Sequence, residues 1–274
     1  MAIHPTAVIH PGAQLPSSVE VGPYAIIEDG VILGEGCQVG AHVHLRTGLI
    51  AGAGNVFDTG CVMAGAPQDL RYKGAPTRVC IGDRNIFREH VTVHRANKPE
   101  EDTVLGSGNM LMAHCHVGHN ARIGNQVIIA NGALIAGHVR LDDRAFISGN
   151  CLIHQFVSVG TLALMQGGSA ISKDLPPFCI ARGDNGVSGL NVIGLRRAGF
   201  DSPTRLELRR LYQAIFRSTA RRQAALEAAQ ALVTTDQGRL FLDFIRTSTR
   251  GVVSERQRAG RSGGSSGGDG ADAE

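Results

Sequence analysis

A parallel β-helix of hexapeptide repeats, followed by a small α-helical C-terminal domain, is the mainly β fold class that this chain of 274 residues predicts. Three observations predict it. Nearly every sixth residue is apolar in a single register, from Ile3, Ile9, Leu15, Val21, Ile27 and Leu33 through Ile123, Ile129 and Ile135 to Ile171. Four residues beyond these stand small or β-branched side chains, among them Ala7, Val19, Ala25, Val31, Cys37, Cys61, Cys115, Ala133 and Cys151. The register then stops after Asp174-Leu175-Pro176-Pro177 and helical spacing follows. A strict period of six fits neither a helix nor simple strand alternation. It fits coils of three short strands and three corners, with one large and one small side chain turned inward on each side of a narrow prism.

Taken in order, the repeat runs from about Ile3 to Ile171 and two stretches break it. The segment Ala64–Arg78 puts Asp69 and Ala75 on the apolar register, and His94–Val104 puts Pro99 there. Both are too polar to continue a ladder and are expected to loop out of it, where scaffold-mounted loops carry function. Glycine often follows the large inward residue directly, as at Gly22, Gly34, Gly118 and Gly124. The expectation there is a corner with positive φ. The β-helix is assigned residues 1–190, with Gly183–Gly194 as a glycine-rich connector. Ser202-Pro203 opens a first helix over Thr204–Ser218, and Ala220–Val233 and Gly238–Thr249 read as the second and third, in a C-terminal domain of residues 191–255. Residues 256–274, rich in glycine, serine and acid, are expected to be disordered.

Composition narrows the function classes. A formal net charge of +3 is too small to argue for nucleic acid. The chain shows no charged-then-apolar leader and no apolar run long enough to span a bilayer, so it reads as cytoplasmic without a transmembrane segment. Cys37, Cys61, Cys115 and Cys151 occupy the small inward slot and read as compact core residues rather than disulfides or zinc ligands. Strings such as Gly34-Glu35-Gly36 sit in the six-residue register with no helix after them, so they are corners rather than nucleotide loops. From Arg196 to Arg250 there are eleven Arg against five Asp and Glu. That excess is either a solvated helical surface or a docking face for an acidic partner.

Chemistry can be placed by counting. Three hexapeptides make a coil, so residues eighteen apart stack at about 4.8 Å. His119, Gly137 and Gln155 then fall in one column, with His138 and His154 one residue to either side of it and His116 in the same coil as His119. Four histidines gathered in this way suit either a zinc site or a general base for acyl transfer. A solvated histidine-rich edge is the plainer possibility.

The strings Gln68-Asp69-Leu70-Arg71-Tyr72, Ile81-Gly82-Asp83-Arg84-Asn85, Val93-His94-Arg95, His116-Val117-Gly118-His119, Ala136-Gly137-His138, His154-Gln155-Phe156 and Gly194-Leu195-Arg196-Arg197 resemble, in order and spacing, one family. It is the acyl-carrier-protein-dependent UDP-N-acetylglucosamine O-acyltransferases of lipid A biosynthesis, and the resemblance runs to about Gly251. It implies a left-handed β-helix and a homotrimer with active sites between subunits. It implies no metal and no bound cofactor, the acyl donor being carried on the phosphopantetheine of acyl carrier protein. His119 then matches the general base that deprotonates the sugar 3-hydroxyl, and the N–H of Gly137 the oxyanion donor. Asp69 and Arg71 match substrate-contacting positions. His116, His138, His154 and Gln155 match the lining of the sugar and phosphate site, and Asn191 and Arg197 match nucleotide-binding positions. Gly167 matches the position that limits acyl-chain length; a glycine there implies a longer 3-hydroxyacyl chain.

Two departures stand out. Asn120, counted with the substrate site, replaces the family's usual Asp beside the base, and Ile193 stands where relatives often carry Glu. An amide can orient an imidazole but supplies no charge. Four other readings therefore stay open. The same reaction could run on a 3-amino sugar nucleotide, a better nucleophile. The chain could be the related N-acyltransferase of the same pathway, although its repeats begin without that family's extra N-terminal domain. It could be a trimeric zinc carbonic anhydrase of this fold, or a weakened acyl-carrier-binding paralogue.

Overall fold

The computed structural model describes residues 2–255, and the expected disordered tail lies outside them. Short strands stack into the three faces of a prism, of 12, 9 and 7 strands, parallel throughout except where Gly186–Leu190 pairs with Cys179–Ala181. Successive coils pair eighteen residues apart, as in Ala2 with Glu20 and Leu134 with Leu152. Chain and coils wind as a left-handed β-helix, and a small helical domain follows. This hand is the exception among parallel crossovers. From Tyr24 onward most corners hold one residue in the left-handed region, at Tyr24, His42, Asn120, His138 and Phe156 among others.

Both inward slots pack as the register requires. Val21, Ile27, Leu45, Phe57, Phe87, Leu111 and Ile135 are buried, and so are Val19, Ala25, Cys37, Cys61, Ala133 and Cys151 facing them. Phe57 and Phe87 stack with centroids 5.2 Å apart. The thiols sit in the core as small hydrophobes and donate to backbone carbonyls, Cys61 to Arg88 and Cys115 to Ala130, each at 3.0 Å.

One column of the small slot is polar. Asn55, Asn85 and Asn109 are fully or almost fully buried and stack through the prism. The Oδ1 of Asn55 accepts from the backbone N–H and the side-chain amide of Asn85, both at 2.9 Å; Asn85 then accepts from the N–H of Asn109, and Asn109 from Val127. Each buried amide thereby satisfies the corner above or below it.

The glycines after the large inward residue have a different cause from the one the sequence suggested. Gly34 and Gly118 do not have positive φ. A Cβ on Gly34 would lie 2.5 Å from the carbonyl carbon of Gly52, and one on Gly118 would lie 2.7 Å from the nitrogen of Gly137. Close stacking of coils excludes the side chain there. The left-handed conformation falls two residues later, where His, Asn and Phe occupy it alongside glycine.

Both insertions leave the prism, but they are shorter at each end than the break in register implied. Strands Val62–Gly65 and Arg78–Ile81 flank the first, leaving residues 66–77 outside; Thr92–His94 and Asp102–Leu105 flank the second, leaving 95–101. Longer strands pair across each insertion, as Arg78–Ile81 does with Asp102–Leu105.

The prism also outlasts its sequence period. Strand Cys179–Ala181 pairs Leu164–Met165 sixteen residues back, a coil two residues short, which is why the register is lost there. Strand Gly186–Leu190 then turns back antiparallel on it, so the supposed connector is ordered sheet. Helix α1 (Val192–Arg197), unforeseen in the sequence, starts at Asn191, whose side chain accepts from the N–H of Gly194. Helix α2 (Ser202–Phe216) starts at Asp201 with proline in its first turn; α3 (Arg222–Gln230) and α4 (Asp236–Thr247) complete the domain. The last two begin and end within a few residues of their expected limits. Asp174 ties the parts together by accepting from the N–H of Ser158 and the hydroxyl of Ser248. Among the described residues no helix is long and apolar enough to cross a membrane.

Candidate active site

One edge of the prism, where the nine- and seven-stranded faces meet, collects the chemistry. Three successive coils cross it through residues 118–121, 136–139 and 154–157. These corners carry His119 and Asn120, then Gly137 and His138, then His154, Gln155 and Phe156. The extruded loops leave from the same edge, the first two coils and the second one coil before His119, so they fold over the histidines.

His119 is only 6% exposed. Its Nδ1 lies 2.7 Å from Oδ1 of Asn120. The amide orientation follows from the other contacts of Asn120. Its Nδ2 donates to a Glu101 carboxylate oxygen at 2.5 Å, and its Oδ1 accepts the backbone N–H of Asn97 at 3.1 Å. A carboxylate requires a donor and an N–H requires an acceptor, so Oδ1 must face the ring. Nδ1 therefore holds the imidazole hydrogen and Nε2 keeps its lone pair. The backbone N–H of Asn120 is itself fixed by the Thr103 hydroxyl at 2.7 Å.

The Cε1–Nε2 edge of His119 lies against the Cα of Gly137, where an added Cβ would come within 2.7 Å of both atoms. The carbonyl of His119 accepts from His138. Among the described residues the N–H of Gly137 has no protein acceptor. A cleft of about 530 Å³ opens here, lined by His94, His116, His119, Gly137, His154 and Gln155 and floored by Leu134, Leu152 and Ala170 of the nine-stranded face.

Burial disfavours the charged form of three of the surrounding imidazoles. Burial, with the added repulsion of His116 and His119, pushes His94 down to about 4. Burial lowers His116 and His138 as well, with His119 again the next contributor. His116 is oriented by the Thr92 hydroxyl at 2.8 Å, and His138 stands edge-on to His119 at 5.1 Å while stacking on Phe156. Among the described residues no group of three His, Cys, Asp or Glu side chains is arranged to hold a metal ion.

The first loop reaches the site through the second. Asp69 accepts from the Asn97 side chain at 2.7 Å and from Arg71, whose guanidinium holds its carboxyl well below the ordinary carboxylate range. Asn97 thus joins Asp69 to the amide that holds the base. Arg71 itself is largely exposed.

The other sequence candidates are placed elsewhere on this chain. Asn191 is buried, capping α1 and donating to the carbonyl of Leu162, and Arg197 ends that helix; neither lines the cleft. Gly167 lies at the opposite edge of the nine-stranded face, beyond Ala170, with only the carbonyl of Gly149 within 4 Å of where a Cβ would be. Ile193 is exposed on α1.

Several contributors carried no signal in the six-residue spacing. Gln68, Ser172 and Asn185 line the cleft from outside the ladder, and Asn97, Glu101 and Thr103 support the base from the second insertion or its flanking strand. Polar composition in a break of register hinted at Gln68, Asn97, Glu101 and Thr103, and no such break contains Ser172 or Asn185.

Fold and site together define a hexapeptide-repeat acyltransferase. The profile of bacterial transferase hexapeptides (six repeats) matches residues 102–137, and that of UDP-N-acetylglucosamine O-acyltransferase domain 2 matches residues 174–253. Proteins named as acyl-acyl-carrier-protein–UDP-N-acetylglucosamine O-acyltransferases are 42% identical in Herminiimonas arsenicoxydans and 46% in Burkholderia mallei strain SAVP1. Each match covers 92% of this chain and 98% of the relative. The UDP-N-acetylglucosamine acyltransferase structures from Francisella novicida and Bacteroides fragilis both superpose with a TM-score of 0.89. They are 32% and 38% identical, covering 93% and 92% of this chain and 94% and 99% of theirs. The chain belongs to the UDP-N-acetylglucosamine O-acyltransferase family.

Proposed function

We propose that this enzyme moves a 3-hydroxyacyl group from acyl carrier protein to the 3-hydroxyl of UDP-N-acetylglucosamine, the opening step of lipid A biosynthesis. The observation that carries this reading is His119, locked at Nδ1 with its Nε2 edge against Gly137. A histidine in that tautomer can take the proton of a sugar hydroxyl at Nε2. The oxygen attacks the thioester carbonyl, the developing oxyanion meets the Gly137 N–H, and the tetrahedral intermediate then expels the carrier thiolate. The proton held on His119 passes to that leaving sulfur, so the histidine ends neutral. The acyl donor arrives on the carrier's phosphopantetheine, and no other cofactor enters the reaction.

Asp69 and Arg71, with His116, His138, His154 and Gln155, hold the sugar and phosphates. Leu134, Leu152 and Ala170 form an apolar path from the base to Gly167, along which an acyl chain runs. The small Gly167 leaves that path open for a longer chain. Asn191 and Arg197 lie outside the cleft of their own chain, which fits nucleotide contacts made from a neighbouring subunit of a homotrimer. The outward apolar residues Val56, Ile86, Met110, Ile128 and Phe146 of the twelve-stranded face suit such contacts. The arginines Arg196, Arg205, Arg209 and Arg217 line a second groove on α1 and α2 that fits an acidic carrier protein. A cytoplasmic location belongs to the same reading.

A transfer assay with purified protein, a set of 3-hydroxyacyl carrier proteins and both UDP-N-acetylglucosamine and its 3-amino analogue tests it. Product on the hydroxyl sugar, lost in His119→Ala, is expected. Transfer only to the amino sugar, or undiminished transfer by the variant, would overturn the acceptor or the base respectively.

A further inference from the structure

We infer that Glu101 is a positioning carboxylate for the general base, acting on His119 through Asn120. The inference rests on the reading of His119 as the base, and nothing in the repeat pattern announces it.

A histidine that gains a proton in the transition state is helped by a nearby negative charge and by a partner that fixes its tautomer. Asn120 can do only the second, and only if its amide is the right way round. Turned over, it would present its NH2 to Nδ1 and leave the hydrogen on Nε2, which would then be unable to accept a proton. Two contacts decide the orientation. Asn97 donates its backbone N–H to Oδ1, and Glu101 accepts from Nδ2 at 2.5 Å. The Glu101 bond is the charged one of the two and therefore the stronger.

Glu101 does more than hold the amide. Its negative charge polarises the amide so that electron density builds at Oδ1, next to the hydrogen of His119 Nδ1. The result is a chain of imidazole, amide and carboxylate in which the charge sits one residue further from the ring than in a direct histidine–carboxylate pair. Glu101 lies at the end of the second insertion, one residue before the strand Asp102–Leu105, so its backbone is anchored by the sheet. Its other oxygen lies 3.5 Å from the ammonium of Lys98, an exposed contact that leaves the carboxylate free to serve Asn120. The groups that face His119 from its own and neighbouring coils, His94, His116 and His138, cannot take over this role because none is an anion.

The test is a double-mutant cycle on the intact enzyme. Glu101→Leu removes both charge and acceptor; Glu101→Gln keeps an acceptor and removes the charge. In the native background, kcat should fall about ten- to a hundredfold for Glu101→Leu and less for Glu101→Gln, as expected for loss of a charged hydrogen bond. KM for the sugar nucleotide should stay near its native value. In an Asn120→Asp background the sign should reverse. Two carboxylates would then oppose each other at hydrogen-bond distance, so Glu101→Gln should raise kcat. A residue that merely supports the loop would lower activity equally in both backgrounds, and that result overturns the inference, as does an unchanged kcat in Glu101→Leu. His119→Ala separates the two levels. If it is inactive while the Glu101 variants are unaffected, this inference fails alone; if it is active, the base assignment fails and takes the inference with it. Thermal melts of each variant report folding.

Discussion

The imidazole edge of His119 rests on the Cα of Gly137, one coil away, at a separation that leaves no room for a methyl group. The two residues lie eighteen positions apart in sequence and are brought together by the pitch of the prism alone. Gly137→Ala would push the ring out of line with its acceptor. A misplacement of about 1 Å costs on the order of a hundredfold in rate. The expected outcome is a kcat lowered by about that factor with an unchanged far-UV spectrum, measured by single-turnover transfer.

Asn97 couples the substrate loop to the base. Its side chain donates to Asp69 and its backbone to Asn120. Asn97→Ala removes only the first bond. KM for the sugar nucleotide should rise several-fold while kcat changes little, because the backbone contact survives. Steady-state kinetics on both substrates would show the opposite split if Asn97 mainly served the base.

The asparagine ladder makes a stability prediction. Asn85→Leu would leave the Asn109 N–H without a partner inside the prism and take one of its two donors from Asn55 Oδ1, which keeps the backbone N–H of residue 85. An unsatisfied buried polar group costs about 1–3 kcal/mol. Urea denaturation should show a loss of about 1–3 kcal/mol from that one orphaned group, whereas Val127→Ala, a lost apolar contact in the same column, should leave the ladder bonds intact.

The histidines of the cleft impose a pH dependence. His94 is held down to about 4 by burial, whereas the unfolded chain titrates near the ordinary histidine value. Between those limits the unfolded state binds more protons, so stability rises with pH. The contribution is complete above about pH 6.5 and is lost as pH falls toward about 4. His116 and His138, also lowered, act in the same direction. Chemical denaturation across this range should show the slope, and His94→Gln should flatten it.

The inward thiols should be inert. Burial pushes Cys61 up to about 12 and Cys115 up to about 11. A thiol-specific disulfide reagent at pH 8 should leave both unmodified in native protein and react with them after denaturation. Rapid labelling of either in the native enzyme would show that the prism opens.

Much was legible in the chain because a β-helix repeats one local rule. Val21, Ile27 and Leu33 turn inward because strand side chains alternate, and Ala25 and Val31 are small because the prism is narrow; both constraints recur every six residues and so survive as spacing. The same spacing predicts that His119 and Gly137 stack. By contrast, the sequence misjudged Gly34 and Gly118, since close approach between coils and positive φ both favour glycine and only coordinates separate them.

By itself, then, the sequence determined the prism, its inward ladders, the column holding His119 and Gly137, and the helical appendix, all of which rest on neighbours at fixed separations. Tertiary structure alone decided how Asn120 is turned, that Glu101 and Asn97 stand behind it, that Asn55, Asn85 and Asn109 bond in one column, and that the chain after Pro177 continues as sheet. Those depend on insertions and shortened coils, where no period links partners and the contacts form only once the whole prism has wound.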